Sequence, residues 1–174
     1  MHRDLLLIVL MHGGRVMKIA NILPTTFADG ERARTSIYFA GCDIKCDGCH
    51  NKDLWDINTG HEMSVDQIIN YIEEESLQTK QVSILGGEPT MQLNSLQALL
   101  KALKEKGYNI WLYTGKLFED LINMDILIYI DILVDGPYIQ ELKKENLKYR
   151  GSSNQRIIDV QKSLKENKII IYME

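Results

Sequence analysis

Gly41-Cys42-Asp43-Ile44-Lys45-Cys46-Asp47-Gly48-Cys49-His50-Asn51 carries all three cysteines of the 174-residue chain, in the spacing C-x-x-x-C-x-x-C. A disulfide among them would leave one thiol over, so a framework of bridges explains the pattern poorly. Three thiolates on one short loop can hold three corners of a cubane iron–sulfur cluster, a cluster type that normally takes four. The sequence has no fourth cysteine. One iron would therefore stay open, and an open metal position marks a catalytic centre where a closed one marks a structural centre. The competing reading is a zinc site made by Cys42, Cys46, Cys49 and His50. Structural zinc sites usually draw two ligands from each of two separate segments. Here one segment supplies everything and His50 abuts Cys49, which favours the cluster.

Outward from this loop, short apolar runs alternate with amphipathic stretches. Residues 36–40 are rich in strand formers and run straight into Gly41. Residues 81–85, 109–113 and 129–134 read as further strands, ending at Gly86-Gly87-Glu88-Pro89, Thr114-Gly115 and Asp135-Gly136-Pro137. Ser64 with Gln67 three residues later reads as a capping box, and Val65, Ile68, Ile69 and Ile72 follow at helical spacing. A second helix is expected with Asn94 as its cap, Leu96, Leu99, Leu100 and Leu103 on one face, and Gly107 as its stop. A short helix is expected around 117–123, and the tail 168–173 reads as a strand paired with 157–160. Strands alternating with helices imply an α/β domain with a mostly parallel sheet and helices on its outer face.

Each of the four strands ends in a glycine-rich or polar signal, and parallel α/β sheets place ligands at the carboxyl ends of their strands. The site is therefore expected at that edge. Gly86-Gly87-Glu88-Pro89 alone would read as a tight turn. Beside three thiols it gains a second meaning, because two glycines let a ligand's ammonium or carboxylate approach the backbone. Thr114 and Asp135 are, taken singly, more often turn residues than ligand contacts.

Composition bounds the function classes. At 45% apolar and 25% charged residues, the chain fits one soluble domain. A formal net charge of −4 gives no footprint for nucleic acid, and Lys143, Lys144, Lys148 and Arg150 read as a solvated face. Clustered reduced thiols point to the cytoplasm. The apolar run 5–11 is too short to span a membrane, and Gly13-Gly14-Arg15 is a poor cleavage site. Residues 1–16 are expected to be an N-terminal extension or an extra strand, with the functional domain over 17–174 and a second plausible start at Met17.

The cysteine loop after a strand, followed by Gly86-Gly87-Glu88-Pro89 after the next, resembles the radical S-adenosylmethionine (SAM) superfamily. Phe39-Ala40-Gly41-Cys42, Cys49-His50-Asn51-Lys52 and Trp55 are similar to the glycyl-radical-enzyme activases. Residues 132–138 and 150–156 resemble the activating proteins of anaerobic ribonucleoside-triphosphate reductase. The likeness spans roughly Met17 to the C-terminus. Two departures stand out. Gly48 occupies the place before the third cysteine where many superfamily members carry an aromatic residue, and Gly30-Glu31-Arg32 stands where many activases have Gly-Pro-Gly.

The resemblance implies a partial, open (βα) barrel, one 4Fe-4S cluster on Cys42, Cys46 and Cys49, and SAM at the open iron. Gly86, Gly87 and Glu88 would shape the methionine pocket, with Gly48, His50 and Thr114 toward the nucleoside. It implies one-electron cleavage of SAM and hydrogen-atom abstraction from a glycine of the anaerobic reductase, fed by a donor such as flavodoxin or ferredoxin, without nucleic acid or membrane. A radical SAM enzyme acting on another glycyl-radical enzyme or a small molecule is the second reading, and a non-catalytic zinc module the third. No catalytic residue is expected beyond the cluster and SAM. The segments 135–138 and 150–156 fit turn formation as well as partner docking.

Overall fold

The computed structural model describes residues 15–77 and 79–174. The expected N-terminal extension therefore lies almost wholly outside the described residues. Eight strands form one sheet in the order β3-β1-β2-β4-β5-β6-β7-β8. They are β1 (Val16–Thr26), β2 (Arg34–Phe39), β3 (His61–Ser64), β4 (Gln81–Gly86), β5 (Asn109–Tyr113), β6 (Ile132–Asp135), β7 (Arg156–Asp159) and β8 (Ile171–Met173). The helices are α1 (Val65–Glu75), α2 (Leu93–Glu105), α3 (Phe118–Leu121) and α4 (Val160–Glu166). Among the described residues, no helix is long and apolar enough to cross a membrane.

The expectation of a mostly parallel sheet needs correcting. β2, β4, β5 and β6 are mutually parallel, but β3–β1, β1–β2, β6–β7 and β7–β8 are antiparallel, so the sheet is mixed. Parallel neighbours need a crossover of about a dozen residues or more. The short connection from β1 to β2 cannot supply one, and the long segment between β6 and β7 holds a 3-10 turn but no α-helix. Both therefore return the chain antiparallel. β1 and β3 were not read as strands from the sequence. β1 pairs with both β2 and β3.

Alternation along each strand sorts the faces. Ile110 and Leu112 of β5 join Ile37, Phe39, Val82, Ile84 and Leu133 in the main core, against Ile68 and Ile72 of α1 and Leu96, Leu99, Leu100 and Leu103 of α2. α1 starts at the expected capping box: the Ser64 hydroxyl accepts from Gln67 N at 3.2 Å and the Gln67 Oε1 accepts from Ser64 N at 2.8 Å. α2 begins one residue before Asn94, with Gln92 at its cap. The Gln92 side chain is engaged elsewhere, accepting from Lys18 N and donating to Lys18 O and Ala40 O. It thereby ties the helix start to β1 and β2.

The opposite face carries Trp111, Ile132, Val134 and Ile157, with Tyr113, Tyr149 and Met173 packed against them. Arg34 is buried on this face, with its guanidinium 5.2 Å from the Trp111 ring. Its nitrogens donate to Ser83 Oγ, Gln81 Oε1, Val82 O, Glu31 O and both Asn109 oxygens. Burial among neutral partners lowers its pKa to about 10. Lysine cannot reproduce that planar fork. Arg34→Lys is expected to cost about 3 kcal/mol, from acceptors left unpaired in the interior; urea unfolding of the wild-type and variant chains checks it.

Candidate active site

The four parallel strands deliver their carboxyl ends to one edge, and a cavity opens there. It is lined by Cys42, Cys46, Cys49, His50, Gly86, Gly87, Glu88, Thr114, Gly115 and Gly136, together with Ile44, Asn51, Trp55, Leu85, Tyr113, Tyr138, Gly151 and Gln155. All three cysteines are unpaired and half-buried. The loop turns backbone N–H groups onto the sulfurs: Asn51 N donates to Cys49 Sγ at 3.3 Å. Burial pushes the Cys42 thiol up, while the N–H groups of Lys45 and Ile44 pull it back toward the thiolate. N–H donors at sulfur are what a bound iron–sulfur cluster requires of its loop.

The glycine pair has a more immediate reason than ligand access. Gly87 N donates to Phe39 O at 2.8 Å, and Glu88 N donates to Gly41 O at 2.7 Å. A Cβ on Gly87 would stand 2.1 Å from Gly41 O, and one on Gly86 would stand 2.5 Å from Phe39 N and O. Gly86 also has φ +116. The segment after β4 is thus laid backbone-to-backbone on the start of the cysteine loop, at a separation only glycine permits.

Glu88 is buried and its carboxylate is fully claimed by the protein. It accepts from Thr90 N and Oγ1, from the Thr114 hydroxyl at 2.8 and 2.9 Å, and from Gly115 N at 2.8 Å. Glu88 and Thr114 therefore brace the loops after β4 and β5 against each other. Gly115 in turn meets the cysteine loop, since a Cβ there would lie 2.4 Å from Ile44 Cδ1. The loops after β2, β4 and β5 form one cross-linked rim.

Of the two remaining predicted residues, His50 lines the cavity and Gly48 does not. His50 is exposed, its ring 5.4 Å from that of Tyr138. A Cβ on Gly48 would strike Gln140 Oε1 at 2.1 Å, the atom that also accepts from the Tyr138 hydroxyl. Among the described residues, no three His, Cys, Asp or Glu side chains converge as ligands of a single ion. A cubane spreads its cysteines over separate corners and asks for no such convergence.

The segments left open by the sequence build the far wall. The buried Asp135 accepts from Phe118 N and from Arg156 Nε and Nη2, while Arg156 also pairs with Glu119. Gln155 Oε1 accepts from Gly151 N and Ser152 N, and its amide donates to Gly136 O. Arg150 donates to Gln155 O, so it leaves the expected solvated face that Lys143, Lys144 and Lys148 do occupy.

Comparison with known proteins places this geometry. The chain matches the 4Fe-4S single cluster domain family over residues 28–158. It is 33% identical over 141 residues to the anaerobic ribonucleoside-triphosphate reductase-activating protein of Escherichia coli (strain K12), covering 76% of this chain and 92% of that one. The chain belongs to this family of activating proteins. The counterpart from Enterobacteria phage T4 is 31% identical over 150 residues, 81% of this chain and 93% of that one. In fold, the chain is similar to the crystal structure of QueE from Escherichia coli, at a TM-score of 0.54 and 18% identity over 62% of this chain and 55% of that one.

Tyr113 lines the cavity without having been singled out from the sequence, whereas Tyr138, Gly151 and Gln155 belong to the segments 135–138 and 150–156, for which the sequence leaves turn formation and docking equal. One signal for Tyr113 was available. Asn109, Trp111 and Tyr113 alternate along β5, and the last of them immediately precedes Thr114 at the strand's carboxyl end.

Proposed function

We propose that this chain activates an anaerobic ribonucleoside-triphosphate reductase by generating a glycyl radical on it. The observation that carries the reading is the gathering of Cys42, Cys46, Cys49 and the Gly86–Glu88 turn around one cavity at the carboxyl edge of the parallel strands, in a chain whose relatives are named for that role. The donor set fits a 4Fe-4S cluster: three half-buried thiols on one loop, with backbone N–H groups directed at sulfur. Cys42, Cys46 and Cys49 would hold it in this reading, leaving the adjoining cavity for SAM. When bound and reduced by a flavodoxin- or ferredoxin-type donor, the cluster supplies the electron that cleaves SAM to methionine and a 5′-deoxyadenosyl radical, which takes a hydrogen atom from the partner's glycine.

The chain's own part is to bind, orient and exclude water. Gly86 and Gly87 keep the methionine pocket open to backbone, and Glu88 with Thr114 keeps its two walls in register. His50, which lines the cavity, stands on the nucleoside side, and Gly48 lies outside the lining. Positioning matters most, because a primary radical attacks whatever lies nearest. Among the described residues the sheet runs from β3 to β8 without closing on itself; taken as an open barrel, it would leave a side through which a large polypeptide can present its glycine.

The test is anaerobic reconstitution with iron and sulfide, reduction in the presence of SAM, and mixing with the reductase of the same organism. An organic radical doublet on the reductase, by electron paramagnetic resonance, is the expected result. SAM cleavage with the reductase silent overturns this reading in favour of another radical SAM substrate, and tight colourless zinc binding overturns both.

A further inference from the structure

Among the described residues, four buried side-chain polar atoms have no hydrogen-bond partner: Trp55 Nε1, Tyr113 Oη, Arg150 Nε and Asn154 Oδ1. Buried polar atoms are nearly always paired, so each such group asks what pairs it in the working state. Tyr113 and Trp55 line the cavity, and the other two stand beside residues that do. Tyr113 ends β5 and lines the cavity directly, while Arg150 and Asn154 flank Gly151 and Gln155, which line it.

The wall that Tyr113 shares with Gly151 and Gln155 is built from the β5, β6 and β7 side of the sheet. In sheet order, β2 and β4 bring the cysteine loop and the Gly86-Gly87 turn, whereas β5, β6 and β7 bring Tyr113, Gly136 and the 150–155 segment. On the proposed function, the first side is taken by the cluster and SAM, and the second is left for the other reactant. Its wall combines the side chains of Tyr113, Tyr138 and Gln155 with three glycines, Gly115, Gly136 and Gly151. The wall is also held rigid, by Asn154 donating to Pro137 O at 2.7 Å and by Gln155 bridging Gly151, Ser152 and Gly136.

The unpaired atoms on this side comprise two donors, Tyr113 Oη and Arg150 Nε, and one acceptor, Asn154 Oδ1. A polypeptide main chain offers one N–H and one C=O per residue, the complement of such a set. Three glycines in that wall leave main chain within reach of a segment that is itself short of side chains. Burial raises the pKa of the Tyr113 phenol further, keeping its proton available for donation.

We propose that Tyr113, backed by Asn154 and Arg150, forms an edge that reads main chain and receives the glycine-bearing segment of the partner reductase, with the Tyr113 hydroxyl donating to a peptide carbonyl of that segment. Tyr113 is a positioning residue in this scheme. It fixes the glycine's place without taking part in hydrogen transfer. The inference rests on the activase reading above.

The test is anaerobic titration calorimetry of the cluster-loaded, SAM-bound chain with the intact reductase of the same organism, run beside a separate SAM titration. Tyr113→Phe keeps the ring and removes the hydroxyl. Its affinity for the reductase is expected to fall about tenfold, as for loss of one buried hydrogen bond, with the loss confined to the reductase titration. Installing 3-fluorotyrosine at position 113, a stronger donor of the same shape, restores the affinity. Unchanged reductase affinity in Tyr113→Phe overturns the inference, and so does a loss that falls on SAM instead. A loss on both titrations together with a lowered unfolding midpoint marks a structural role and overturns it as well. If the wild-type chain raises no radical on the reductase, the activase reading itself falls and this inference falls with it; a radical from the wild type with an unaffected phenylalanine variant sinks the inference alone.

Discussion

Cys46→Ala is expected to reduce SAM cleavage to background, a loss beyond roughly 100-fold, because removing even a group that supports a metal ligand costs about 10- to 100-fold. Cys46 is the middle thiol of the loop, and its neighbour contact is local: Cys49 N donates to Cys46 O at 3.2 Å. That bond uses the main chain and survives the substitution. The side chain is half-buried and outside both apolar clusters. Folding stability of the metal-free chain should therefore change by no more than about 0.5 kcal/mol, as for substitutions away from the core. The discriminating measurement pairs iron and sulfide content with urea unfolding of the metal-free chain. Low iron at unchanged stability assigns Cys46 to the cluster. Full iron and full cleavage in the variant contradict the three-thiolate assignment, and with it the open iron on which the proposed chemistry depends.

What the sequence made legible was whatever is written in local chemistry. The Ser64–Gln67 capping box, the helical spacing of Ile68, Ile69 and Ile72, and the polar stops after β4, β5 and β6 are all decided within a few residues, and they stand where the sequence reading put them. The meeting of those stops around one cavity follows from the shared direction of β2, β4, β5 and β6. Sheet direction at the flanks was not legible. It depends on how β1 returns into β2 and how the 136–155 segment returns into β7, and alternation of strands and helices carries no information on either. Asn94 failed as a cap for a related reason. Gln92 is recruited by β1 and β2 across the fold, which shifts the helix start by tertiary contact.

The site shows the same division. Residue types identified the cysteines and the glycine turn, but the partner of each group lies far away in sequence. Glu88 read as a pocket residue through the family resemblance; only the fold reveals that Thr114 and Gly115 occupy its carboxylate. Asp135 read as a turn residue, and it is instead the buried acceptor that fixes Arg156 and starts α3. Tyr113 gave only the faint signal of its position along β5. Its unpaired hydroxyl is a property of the assembled cavity.

The second large effect is expected at Gly87. A methyl group there would lie 2.1 Å from Gly41 O and 2.7 Å from Gly41 C, and both atoms are main chain. No rotamer change relieves such a clash, so the two backbones must separate. Separation breaks the bonds from Gly87 N to Phe39 O and from Glu88 N to Gly41 O. It also drags Gly41, whose own N–H is held by Leu54 O, and Cys42, held by Trp55 O. Gly87→Ala is therefore expected to destabilise the chain by about 3 kcal/mol, combining overpacking with loss of buried hydrogen bonds. Displacement of Cys42 should lower cluster occupancy in parallel. Gly107→Ala supplies the control: Gly107 has φ +78 but nothing within 4 Å of an added Cβ. That variant carries backbone strain without a clash, at a cost of about 1 kcal/mol, and should load iron normally. Urea unfolding and iron content measured on both variants separate the two causes. Equal iron loading in Gly87→Ala and Gly107→Ala would mean that the glycine turn and the cysteine loop are not mechanically coupled.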